Sequence, residues 1–219
     1  MSDRTTITRL REKARTDRVD LDALLDSTCV GHFGLTDPSG RPVVIPTAIA
    51  RDGDRVLVHG STGSPWMRAL AAGAPTCLAV TALDGLVVAR SAFESSLHYR
   101  SAVLFGACGV LGVDEREAAL DLITEALLPG RTAELRRPTR RELDATQVLA
   151  LPIVEWSLKV SAGWPDDPPE DVAGDAWAGV VPLVAGYAGP VPAPDLRPGI
   201  AVPESVRGLP AQAGSGAPR

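Results

Sequence analysis

Two short stretches of this chain gather the side chains that could do chemistry. The first, VLVHGSTGSPWMRALAAGAP at residues 56–75, runs from an apolar strand through small hydroxyl residues into a short helix. Strand alternation puts Arg55, Leu57 and His59 on one side, so His59 stands at the strand's end, just ahead of the helix. Gly60 permits close backbone approach, and Ser61, Thr62 and Ser64 offer hydroxyls. The free N–H groups of a helix start attract an anion, its dipole adds to that, and Arg68 lies one turn in. Two readings stand: a phosphate seat, or a helix start capped by its own serine. The second stretch, DGLVVARSAFESSLHYRSAVLFG at residues 84–106, sets Arg90, Ser91, Tyr99, Arg100 and Ser101 around strand ends. It reads either as the polar lining of a ligand site or as a solvated hairpin, with His98 a loop residue. No Ser-His-Asp set or carboxylate pair is visible, which leaves His59 as the first candidate for an acid or base.

The elements that must position these residues follow from period and punctuation. DLDALLDST predicts a helix capped by Asp20, with Leu21, Leu24 and Leu25 on one face. CVGHFGL, PVVIPTAIA and RVLVHG, joined by TDPSG and RDGD, predict an antiparallel meander. SPWMRALAAG is a helix with Ser64 at its N-cap, Pro65 at its first position and Gly73 closing it. TCLAVTAL and GLVVARSA read as two strands around LDG, and AVLFGACGVLGV as one long strand. DEREAALDLITEALLPG is the strongest helix, with Asp114 and Glu117 as a capping box and Leu120, Ile123 and Leu127 as its buried stripe. Thr139 and Glu142 cap a second short helix, and VLALPIVEWSLKVSAG reads as the last strand. The count, six or seven strands with three or four helices, predicts a mainly β protein: a small barrel with helices packed outside it.

The chain's 219 residues and formal net charge of −5 suit one core and argue against a nucleic-acid partner. Arg136–Glu142, RRPTRRE, is then a solvated turn leading into a capped helix. Cys29, Cys77 and Cys108 sit far apart in apolar runs, without CxxC or zinc spacing, and read as buried thiols in a reducing compartment. With a polar N-terminus and no apolar run of membrane length, a soluble cytoplasmic protein is expected, without metal or membrane partner. Residues 1–18 read as an arm, 19–163 as the barrel, and 164–219, rich in Pro and Gly, as an irregular extension draped on it. Disorder is expected over its last ten or so residues.

Taken together, HGSTGSPWMRAL, DGLVVARSAF, YRSAVLFG, LPGRTAELRRPTRREL, LPIVEWSLKVSAG and WAGVVPL resemble the flavin-binding split barrels of the pyridoxamine 5′-phosphate oxidase-like superfamily, nearest its branch related to nitroimidazole-resistance reductases. The resemblance covers roughly residues 15–190. It implies a homodimer of six-stranded antiparallel split barrels with FMN at the interface, and an oxidoreductase of small nitro- or quinone-like compounds. It would put His59, Gly60, Ser61, Thr62, Ser64 and Arg68 by the phosphate, with Lys159 pointing at the same anion. Tyr99, Arg100 and Ser101 would approach the flavin, from the same or the other subunit, Arg90 would join the cofactor-binding residues, and Thr47 of IPTAI would offer backbone to its ring. Pro65 and Ser161 stand where relatives carry basic residues. The alternatives are a flavin store or sensor without turnover, a haem protein with His32, His59 or His98 on the iron, and a barrel without cofactor.

Overall fold

A computed structural model of the chain describes residues 3–212. The meander forms as its alternation requires, with β2 (Val30–Thr36), β3 (Pro42–Asp52) and β4 (Arg55–Ser61) joined by tight turns. Gly40 and Gly53 supply the left-handed conformations of those turns, at φ 83° and 57°. Phe33, Ile49, Val56 and Val58 point inward, where the helices α1 (Arg18–Asp26) and α2 (Pro65–Ala71) close the core with Leu21, Leu24, Leu25, Met67 and Leu70. α1 starts earlier than expected, with Asp17 at its N-cap, so Asp20 lies in its first turn rather than capping it.

The LDG turn does not form. β5 (Pro75–Val88) runs straight through it, with only a register shift between Leu83 and Gly85 where it pairs with β6 (Ser96–Ala107). Asp84 is not a turn residue because both its carboxylate oxygens receive the Arg100 guanidinium, at 3.0 and 2.9 Å. Gly85 is needed for packing instead: a Cβ there would lie 2.7 Å from the Val181 carbonyl oxygen.

The expected last strand is also two strands. β8 (Thr146–Pro152) pairs with β4, while β9 (Glu155–Ser161) pairs with β6, at the far side of the sheet. Pro152 ends the first ladder because it has no N–H to donate. Ile153 then turns into the core and Val154 out to solvent. Together with the short β1 (Ala14–Arg15) and β7 (Gly109–Val110), the main sheet runs β1-β9-β6-β5-β2-β3-β4-β8-β7, antiparallel throughout. It curls without closing: a split barrel.

α3 (Val113–Leu127) lies outside the sheet and buries Ala119 and Ile123 against Ala50, Leu57, Val148 and Ala150. It starts from Gly112, so the expected capping box does not form, and Leu127 is exposed rather than buried. α4 (Arg140–Ala145) has the capping box expected for Thr139 and Glu142, and Arg136 holds the Glu142 carboxyl down to about 2. The N-terminal arm is pinned to the sheet: Ala14 pairs with Lys159, and Arg4 pairs with Glu155 while lying 4.8 Å above the Phe105 ring. The extension is more ordered than its composition suggests, with α5 (Pro169–Val172), β10 (Gly179–Pro182) against β5, and α6 (Glu204–Gln212). Ser205 fixes α6 through its N–H and hydroxyl to Glu134. Most of the residues expected to be disordered, 213–219, lie outside the described residues.

Gly85→Ala should cost about 1–3 kcal/mol through overpacking against β10. Hydrogen exchange should show β10 amides losing protection while β8 amides keep theirs; uniform protection would contradict this packing.

Candidate functional site

The turn after β4 is closed by its own residues. The Ser61 hydroxyl accepts the Gly63 N–H at 3.1 Å, and the Ser64 N–H reaches the Ser61 carbonyl. The Thr62 N–H is spent on the Ala145 carbonyl at the end of α4. α2 then begins with Pro65, which has no N–H to offer an anion, and Ser64 makes no side-chain cap bond. Gly60 faces α2, where a Cβ would lie 2.9 Å from Met67, so its smallness serves packing. The Arg68 guanidinium is exposed and makes no ion pair among the described residues.

His59 points the other way. Alternation puts it on the side of Leu57, at the margin of the layer that α3 covers, opposite Val148 of β8. It is half-buried, and its Nδ1 is sealed from solvent without a hydrogen-bond partner. Desolvation pushes its pKa below the ordinary 6.5, which keeps the ring neutral at physiological pH.

Beyond that margin the same outer face of the sheet continues uncovered. β3 leaves β4 after the Ile49–Val58 pair and follows β2 alone, so Thr47 flanks a fork between β3 and β4. Next come Ala48, Pro46 and Val44 of β3, and Val30 and His32 of β2, with Val44 63% exposed. His32 is paired in register with Ala79 of β5. The face ends in a polar row that the ladders align across three strands: Thr81, Ser101 and Lys159, with Tyr99 beside it opposite Leu83 and Ser161. Thr81 was missed in the sequence because its place depends on register. Lys159 is half-buried and makes no ion pair among the described residues.

Tyr99, Ser101, Lys159 and His59 therefore share one face, but not one point. His59 stands on β4 and Lys159 on β9, five strands apart in the order of the sheet. Arg100 turns inward, spent on Asp84 and the Ser27 hydroxyl. Arg90 is spent too: its N–H and guanidinium both hold Asp167, whose side chain is 1% exposed, and so tie the extension to the end of β5. The His98 Nε2 lies 2.8 Å from the Gly163 carbonyl and serves the same tie. The cysteines are free, but Cys29 is exposed, not buried, while burial pushes the Cys108 thiol up to about 12. No cluster of residues with metal-binding character occurs among the described residues, and no helix is long and apolar enough to cross a membrane.

A family model described as pyridoxamine 5′-phosphate oxidase matches residues 17–160, most of the chain, and takes in strands β2 to β9 but for the last residue of β9. The chain belongs to the pyridoxamine 5′-phosphate oxidase family. Its fold is that family's flavin-binding split barrel. The FAD and heme binding protein of Mycobacterium smegmatis is 54% identical, with TM-score 0.87 over 90% of this chain and 97% of that one. The flavocytochrome Anf3 of Azotobacter vinelandii is 37% identical, with TM-score 0.88 over 95% and 97%. A 5-nitroimidazole antibiotic resistance protein from Bacteroides thetaiotaomicron shares the fold at 18% identity and TM-score 0.57, covering 67% of this chain and 86% of that one. No curated protein matches the sequence.

Asp167→Asn should cost roughly 1.5–3 kcal/mol by removing one partner of a charge-assisted pair. Limited proteolysis should then cut within residues 162–178 first. Unchanged cleavage would mean that Arg90 does not hold the extension.

Proposed function

We propose that this protein is a flavin- and haem-binding redox protein, with FAD rather than FMN as its flavin. The observation that carries the reading is the 54% identity, over nearly the whole of both chains, to a protein named for binding FAD and haem. Flavin chemistry would provide electrons in ones or twos, and haem a one-electron iron centre. The outer face of the sheet suits such groups. Ala48, Pro46, Ala79 and Val30 lie side by side on it and would offer apolar surface to planar rings. The polar row of Thr81, Tyr99, Ser101 and Lys159 would hold the flavin, with the lysine answering its phosphate charge. The signatures shared with the nitroimidazole-resistance branch support a small nitro- or quinone-like compound as electron acceptor.

A second copy of the chain is the partner proposed for this face. Val30, Val44, Leu83, Leu86, Leu97 and Val181 are all more than 40% exposed along β2, β3, β5, β6 and β10, more apolar sheet than a monomer leaves in water. The proposed compartment is the cytoplasm, where three free thiols stay reduced.

Denaturing the purified protein should release FAD on chromatography, and the native protein should show flavin bands beside a Soret band. FMN in the released fraction would overturn the choice of flavin, and a missing Soret band the haem half. Lys159→Ala should weaken flavin retention roughly tenfold or more.

Sedimentation at micromolar concentration should give a dimer, and Val44→Asp should shift it toward monomer. A wild-type monomer would overturn the assembly.

A further inference from the structure

We propose that His59 is the axial haem ligand of this protein, binding iron through Nε2, with the Arg116 guanidinium as the counter-charge to a haem propionate. The inference rests on the haem half of the function proposed above and names the residues that serve it.

The described residues contain three imidazoles, and their surroundings separate them. His98 is committed, since its Nε2 meets the Gly163 carbonyl and helps tie the extension to β6. His32 is exposed on its strand, between Pro46 and Ala79, and makes no hydrogen bond among the described residues that would fix its ring. His32 and His59 also rise from the same face of one sheet, so within one chain they cannot take opposite sides of a single iron. His59 alone is half-buried at the edge of the α3 layer, beside Leu57 and Val148. Its Nδ1 is closed off, which leaves Nε2 as the one nitrogen open to an incoming group.

A second, independent observation lies on the same side. Arg116, in the first turns of α3, is half-buried and forms no ion pair with a carboxylate among the described residues. One of its terminal nitrogens donates to the Leu143 carbonyl of α4, while its Nε is buried without a partner. The other arginines that flank the sheet here are compensated: Arg55 by Asp52 and Glu115, and Arg51 by Asp22 and Asp26. A partly buried cation without a counter-ion is costly, and a carboxylate brought by a ligand would relieve that cost. An imidazole open at Nε2, apolar residues Ala48 and Val30 on the same face, and a guanidinium without a carboxylate partner are together what would recognise an iron porphyrin with carboxylate side arms.

The test is haemin titration of wild type, His59→Ala, His59→Cys, His32→Ala, His98→Ala and Arg116→Gln, following the Soret band and electron paramagnetic resonance, with circular dichroism to confirm each fold. Expected are at least tenfold weaker haem binding and a shifted Soret band for His59→Ala, with the wild-type spectrum restored by added imidazole. His59→Cys should show the red-shifted signature of thiolate ligation, which keeps the test decisive if the Ala variant folds poorly. Arg116→Gln should weaken binding about tenfold without moving the Soret band. A wild-type spectrum in both His59 variants, with loss in His32→Ala or His98→Ala, would overturn the ligand assignment and leave the haem reading standing. No Soret shift in the wild type would overturn the haem reading itself.

Discussion

The structure depends on one break in the chain, at Pro152–Val154. Pro152 cannot donate to the ladder of β4, so the strand stops there; Ile153 anchors in the core and donates its N–H to the Asp54 carbonyl. The following residues join β6 instead. One segment, residues 146–161, therefore serves both sides of the sheet, with Val148 beside His59 and Lys159 beside Ser101. Were the strand continuous, β6 would lose its outer partner and the polar row its cation. The opening of the barrel and the layout of its outer face have the same cause.

The second constraint is charge. The chain is rich in arginine, and most of these side chains are spent on carboxylates: Arg51 on α1, Arg55 on α3, Arg90 on the extension, Arg100 across the β5–β6 pair. All but the Arg90–Asp167 pair are partly exposed and contribute little each, but together they fix which elements touch. They also sort the cations by use. Those left without a carboxylate, among them Arg68, Arg116 and Lys159, are the ones with charge to offer a ligand. Two of the three, Arg116 and Lys159, flank the outer face, and that agrees with a face built for anionic cofactors.

α3 decides how much of that face is available. It shields Leu57, Val148 and Ala150, while His59, next along β4 on the same side, is only half-buried and Val44 and Val30 beyond it are exposed. The extension does the complementary work at the other end, where β10 lies against β5 and Asp167 is buried on Arg90. Between them they leave an apolar strip with a polar end, and its exposed valines and leucines are the reason a second copy is a natural cover for it.

The sequence by itself determined the local elements whose signals lie within a few residues of one another. The β2–β4 meander, α2 with Pro65 at its first position, the capping box of α4 and the side of β4 that His59 occupies were all legible, because period and capping are short-range physics. The family was legible too, from the order of several weak motifs. What only the tertiary structure decided were the features set by partners distant in sequence. LDG became strand because Asp84 found Arg100 and Gly85 admitted Val181. Arg90 and Arg100 looked like ligand-binding residues until Asp167 and Asp84 claimed them. Thr81 joined the polar row, and His59 parted from Lys159, only through strand register, which is a property of the whole sheet and of no single stretch of residues.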